Sequence, residues 1–127
     1  MISLELPWPP STNQIWRNTM VGGKPRTLLS AVGRSYRKSV ADVCLLARAS
    51  KGLAGRVRVD IVACPPDKRQ RDLDNMLKAP LDALTHAGVW LDDSQIDQLF
   101  IERGDVCKGG RLMVMISSTE GEQQCDR

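Results

Sequence analysis

The chain has 127 residues, 42% of them hydrophobic and 4% aromatic, with 18 Lys and Arg against 15 Asp and Glu for a formal charge of +3, which fits one small globular domain. Its longest apolar run, Leu112 to Ile116, is far below the roughly 20 residues of a membrane span, and Met1 to Glu5 lacks the basic stretch and apolar core of a signal peptide, so a cytoplasmic protein without membrane association is expected. Cys44, Cys64, Cys107 and Cys125 lie 20, 43 and 18 positions apart with no C-x-x-C, and His86 is the single histidine, so neither a zinc site nor a disulfide framework is indicated.

Ile2, Leu4 and Leu6 alternate with Ser3 and Glu5, the period of a half-buried strand, and Pro7, Pro9 and Pro10 end it because proline cannot donate to a ladder. Arg17 to Leu29 holds Gly22-Gly23, Lys24-Pro25 and Arg26 without a sustained period and predicts a mobile basic loop that grips phosphates. From Ser30, a predicted N-cap, the residues Val32, Tyr36, Val40, Val43, Cys44 and Ala47 fall at helical spacing with Arg34, Arg37, Lys38 and Arg48 between them, an amphipathic helix with a basic outer face. Gly52 and Gly55 close it, and Arg56 to Ala63 alternates polar with apolar as a strand.

After the turn at Pro65-Pro66-Asp67 and the basic run Lys68-Arg69-Gln70-Arg71, Leu73, Leu77, Leu81 and Leu84 predict a second helix that stops at Gly88. Pro80 inside a regular helix would cost roughly 3 kcal/mol, so a kink or a late start is expected. Two strands follow near Ile96 to Arg103 and Arg111 to Ser117, predicted to pair as a hairpin through Lys108-Gly109-Gly110, and the polar tail from Thr119 to Arg127 is expected to be disordered. The order β-α-β-α-β-β gives a two-layer α+β fold, a small mixed sheet with helices, as one domain over residues 1–118.

The net charge conceals an asymmetry: residues 1–71 carry 13 Lys and Arg against 4 Asp and Glu, a charge of +9, whereas the remainder carries −6. A cationic half beside an anionic half suggests a polyanion surface next to a cation site, or two solvated faces that neutralise each other. Asp72-Leu73-Asp74 bears on the choice, because acids two residues apart share a side only where the backbone is extended, which places the pair at the entrance of the second helix. Lys78 lies one turn beyond Asp74, and Asp92-Asp93 follows in the loop after the helix, where the chain can fold back. Two or three aspartates with water and phosphate oxygens suit magnesium, which would polarise a phosphodiester while a lysine stabilises charge at the phosphate. The alternative gives the acids structural work: a helix cap, an Asp74–Lys78 ion pair and an ordinary Asp-rich turn.

The sequence closely resembles the RusA family of Holliday junction resolvases, phage- and prophage-associated endodeoxyribonucleases, over nearly its whole length. The stretches that carry the likeness are Leu6 to Asn13, Ser30-Ala31 with Gly33, Tyr36 and Arg37, Arg71-Asp72-Leu73-Asp74-Asn75 with Lys78, Leu81 to Leu84, Ala87-Gly88, Trp90-Leu91-Asp92-Asp93 with Gln95, and Lys108 to Leu112. The resemblance implies that Asp72, Asp74 and Asp93 hold the metal, Mg2+ with Mn2+ as a substitute, and that Lys78 is functionally important. It also implies a homodimer that makes paired symmetric nicks in four-way DNA junctions during recombination, repair or phage DNA processing. Pro80 and Leu81 depart from the small residue and the aromatic of the family, so the resemblance leaves open the helix shape and any side chain inserted at the junction centre.

For the DNA surface, Arg17, Lys24, Arg26, Lys68, Arg69, Arg71, Lys108 and Arg111 are the candidate phosphate contacts, with Arg34 beside them. With only Trp8, Trp16, Trp90, Tyr36 and Phe100 as aromatics, recognition should rest on backbone and shape. Two rivals stand beside the resolvase: a branched-DNA-binding protein without cleavage, in which the acids only cap and solvate, and a metal-dependent nucleotide hydrolase, which the basic half disfavours.

Overall fold

A computed structural model of the protein describes residues 1–119, so residues 120–127 of the expected tail, Cys125 among them, lie outside the described residues. Thr119, placed in that tail from sequence, is buried and its N–H bonds to the Arg56 carbonyl. The elements run β1 (Ile2–Pro7), α1 (Thr12–Ile15), β2 (Trp16–Val21), β3 (Lys24–Leu29), α2 (Ala31–Leu46), β4 (Val57–Cys64), α3 (Lys78–His86), β5 (Ile96–Arg103) and β6 (Arg111–Ser118), with 3-10 turns at Leu73–Met76 and Asp93–Gln95. No helix among them is long and apolar enough to cross a membrane.

Strict alternation in three strands creates the core. Leu4 and Leu6 of β1, Val57, Val59, Ile61 and Ala63 of β4, and Leu112, Val114 and Ile116 of β6 are all buried and share one face of the sheet. Against that face pack Tyr36, Val40 and Cys44 of α2, Ala83 and Leu84 of α3, and Trp90 beyond it. Each large side chain buried in this way contributes about 1.5–3 kcal/mol. The result is the expected two-layer α+β fold, with the helices on one side; Phe100, Met113 and Met115 stay exposed. Arg37 of α2 joins Asp82 of α3 at 2.7 Å and ties the two helices together.

The strand order β1-β6-β4-β5 corrects the expected hairpin: β5 and β6 are not neighbours, because β4 lies between them, antiparallel to β6 and parallel to β5. The connection between β5 and β6 instead crosses the end of β4, where the N–H groups of Gly104 and Cys107 donate to the Ala63 and Pro65 carbonyls. Those bonds satisfy the backbone of the crossing segment, so no tight turn is needed.

The expected mobile loop from Arg17 to Leu29 is a two-stranded antiparallel ribbon, β2 with β3, a second correction. Val21 pairs with Lys24, so Gly22 and Gly23 form a two-residue turn, both with positive φ (58° and 78°) as the favoured hairpin turn demands. The ribbon rests on α2 through a close approach: a Cβ on Gly33 would lie 2.8 Å from the Ile15 carbonyl oxygen and 2.7 Å from Leu29 Cδ1. Pro80 has the late start that the sequence allowed. The α-helix begins only at Lys78, so Pro80 is its third residue, where a backbone N–H has no partner within the helix.

Candidate active site and nucleic-acid interface

The segment that leaves β4 is knotted before it reaches the acids. Asp67 accepts from the Arg69 N–H at 3.0 Å and pairs with the Arg71 guanidinium at 2.8 Å, and these contacts hold its carboxyl below the usual carboxylate range. Arg71 also donates to the carbonyls of Asp67 and Arg69, both at 3.3 Å, and lies 5.6 Å from the Trp8 ring centre. Its own carbonyl accepts from Arg103 at 2.6 Å. Arg71 is therefore the organiser of the loop as well as a candidate phosphate contact.

Asp72 follows with extended backbone (φ −83°, ψ 133°) and opens the 3-10 turn that contains Asp74. Its side chain makes no cap, and neither exposed carboxylate has a hydrogen-bond or ion-pair partner among the described residues. The structural alternative for this pair is thus not realised. The Asp74–Lys78 ion pair is absent, and the Lys78 ammonium lies over the Trp16 ring, 5.5 Å from its centre.

Asp93 lies beyond α3, in the 3-10 turn Asp93–Gln95, and is held against that helix. Its carboxylate accepts from the Thr85 hydroxyl, which in turn accepts the Trp90 indole N–H at 2.7 Å and has the Leu81 carbonyl as an alternative acceptor at 2.9 Å. Lys78 and Thr85 are seven residues apart, which returns to nearly the same side of a helix about 10 Å further along its axis. Asp93 therefore shares a stripe of α3 with Lys78 but is held at the other end. Among the described residues no three His, Cys, Asp or Glu side chains gather as a ready-made metal site. Asp72 and Asp74 nevertheless offer the free, hard oxygen donors that magnesium takes, and one or two carboxylates with phosphate and water suffice for it. Asp92 differs, since its carboxylate is spent on the Ser94 hydroxyl and N–H, which lower its pKa.

Asp72 and Asn75 stand at the wall of a groove of about 1190 Å³, bounded by Trp8, Val32, Tyr36 and Arg69. The candidate cations differ in how far they are engaged. Arg17, Lys24 and Arg26 project from one face of the ribbon, because Arg17 pairs across to Leu28, Arg26 to Thr19 and Lys24 to Val21, and none of the three has a side-chain partner among the described residues. Lys68 and Lys108 are exposed and likewise without a partner among the described residues. Arg69 reaches Asp67 only at 3.7 Å, whereas Arg111 is engaged with Glu5 at 3.1 Å and Arg34 with the Leu29 carbonyl at 2.7 Å.

Sequence reasoning gave no role to Thr85 or Trp16, and it noted Gln95 only within the resemblance. Gln95 is buried, donates to the carbonyls of Leu53 and Gly55 at 2.7 and 2.8 Å, and accepts from the N–H groups of Leu91 and Asp92, both at 2.8 Å. It pins the Asp92–Asp93 turn to the opposite loop. Its spacing after Asp92, a capping-box signature, was the available signal.

The family model of the endodeoxyribonuclease RusA matches residues 7–117. The chain belongs to the RusA endodeoxyribonuclease family. The crossover junction endodeoxyribonuclease RusA of Escherichia coli strain K12 is 44% identical over 120 residues, covering 94% of this chain and 97% of the relative. The proteins of that name from Shigella sonnei strain Ss046 and Enterobacteria phage 82 are each 43% identical, with 94% of this chain and 97% and 96% of the relative covered. The RusA match spans the ribbon, the groove, Asp72, Asp74, Lys78 and Asp93.

Proposed function

We propose that this RusA-family chain is a crossover junction endodeoxyribonuclease, which hydrolyses phosphodiester bonds in four-way DNA and works as a homodimer with Mg2+, or Mn2+ in its place. The observation that carries the reading is the pair of carboxylates of Asp72 and Asp74, unpartnered among the described residues and borne on a loop that Arg71 has already fixed, with Asp72 at the wall of a groove. Asp72 and Asp74 would hold the ion, with Asp93 as the third acid. A divalent ion held by these carboxylates would supply Lewis-acid polarisation of the phosphodiester and would lower the pKa of a bound water. The Lys78 ammonium, which no carboxylate of the described residues neutralises, stabilises charge at the phosphate, and Arg17, Lys24, Arg26 and Lys68 hold the backbone of the junction. Two symmetric nicks need two such sites, and one chain carries a single Asp72–Asp74 pair, which is the ground for the dimer.

The cleavage-free rival needs Asp72 and Asp74 to do structural work, and neither has a partner to do it with. A labelled four-way junction and matched linear duplex, incubated with the protein in Mg2+ and in EDTA beside Asp74→Asn, test the reading. Paired nicks confined to the junction, lost in EDTA and in the variant with junction affinity retained, are expected. Tight binding without nicks in either Mg2+ or Mn2+ would establish the binding protein instead.

A further inference from the structure

Trp16 stands at the base of the ribbon, as the last residue before its strands leave the body of the protein, and packs half-buried against the core. The cross-strand pairing puts its side chain on the ribbon face opposite the one that carries Arg17, Lys24 and Arg26. Its ring meets the Lys78 ammonium, 5.5 Å from the ring centre, within the range of a cation–π contact. The indole N–H is buried and has no acceptor among the described residues, so no hydrogen bond from them holds the ring by its polar edge.

An aromatic partner has a consequence that a carboxylate would not. It narrows the many rotamers of a lysine without cancelling its charge, so the ammonium is oriented and still free to attract a phosphate oxygen. We infer that Trp16 is a positioning residue for Lys78, which couples the base of the DNA-gripping ribbon to the cleavage site. The inference rests on the reading of Lys78 as part of that site.

Trp16→Phe keeps a ring face and forfeits no hydrogen bond, whereas Trp16→Met keeps apolar bulk without a ring. Both are compared with wild type and Lys78→Ala in single-turnover nicking of a four-way junction, with junction affinity measured in parallel. NMR of protein labelled at the lysine ε-carbons follows the Lys78 signal, identified by its loss in Lys78→Ala. Expected are nicking within about threefold of wild type for Trp16→Phe, about tenfold slower nicking for Trp16→Met, and affinity changed less than about twofold in both. The Lys78 ε-protons should be shifted upfield by the ring in wild type and Trp16→Phe but not in Trp16→Met. Equal rates for the two variants, or an unshifted Lys78 signal in wild type, would overturn the positioning role. Wild-type nicking by Lys78→Ala would overturn the underlying reading of Lys78 and the inference with it, and the ring-shifted signal in wild type would show that this failure is not one of geometry.

Discussion

Thr85 has one hydroxyl and two dependants, the Trp90 indole N–H and the Asp93 carboxylate. Thr85→Val keeps the shape and removes both bonds. The buried indole then lacks its acceptor, at about 1–3 kcal/mol, and Asp93 loses the group that fixes its orientation. The expected outcome is a lower urea midpoint together with slower junction nicking, both recovered in Thr85→Ser. Recovery of stability without recovery of nicking would mean that Asp93 does not depend on Thr85. The second acid contact with a measurable signature is Asp67, held low by the Arg69 N–H and by Arg71. A carboxyl depressed on folding contributes stability above its unfolded value, near 3.9, and loses it as the pH falls through the lower folded value. The loop that leads to Asp72 should thus stay knotted at pH 5 and open only below about 3.9. A carboxyl-carbon NMR titration in which Asp67 protonates at or above that value would contradict this.

At the scale of elements, Gly33 sets two effects against each other. Alanine would favour the α2 helix by about 1 kcal/mol over glycine. The Cβ, however, would meet the Ile15 carbonyl oxygen at 2.8 Å, a backbone atom already bonded to the Ser30 N–H at 2.7 Å, and overpacking of that kind costs about 1–3 kcal/mol. Since backbone cannot step aside as a side chain can, Gly33→Ala is expected to lower the urea midpoint and speed amide exchange in the ribbon. The sequence announced α2 as a helix but not this contact, which depends on a segment 18 residues earlier. The same distinction runs through the fold. β1, β4 and β6 were legible because each buries one face and so alternates. The ribbon buries almost nothing and had no period to read, leaving Gly22-Gly23 as its one clear mark. The position of β5 depends on which strand lies between it and β6, a non-local fact. In the site, the extended entrance at Asp72 and the lysine one turn on were legible from spacing. The station of Asp93 was not, because the length of α3 and the Thr85 hydroxyl set it.

For the whole molecule the charge asymmetry acquires an address. Three cations of the basic half, without partners among the described residues, share one face of the ribbon, and a two-stranded ribbon can enter the major groove of DNA. Each phosphate contact releases counterions, so the logarithm of the binding constant falls against the logarithm of salt by about 0.9 per contact on duplex arms. Replacing Arg17, Lys24 and Arg26 together by alanine should flatten that slope by about 2.7 if all three touch phosphate. Arg111→Ala should flatten it less, because Arg111 is engaged with Glu5. Arg71→Ala should affect nicking more than the slope, because its larger duty is to fix the loop before Asp72. The measurement is a salt titration of binding to a four-way junction without divalent ions, so that bound metal does not compete as a counterion. A triple variant with the slope of wild type would remove the ribbon from the interface, and the basic half would then have to meet DNA through Lys68, Arg69 and Lys108 alone.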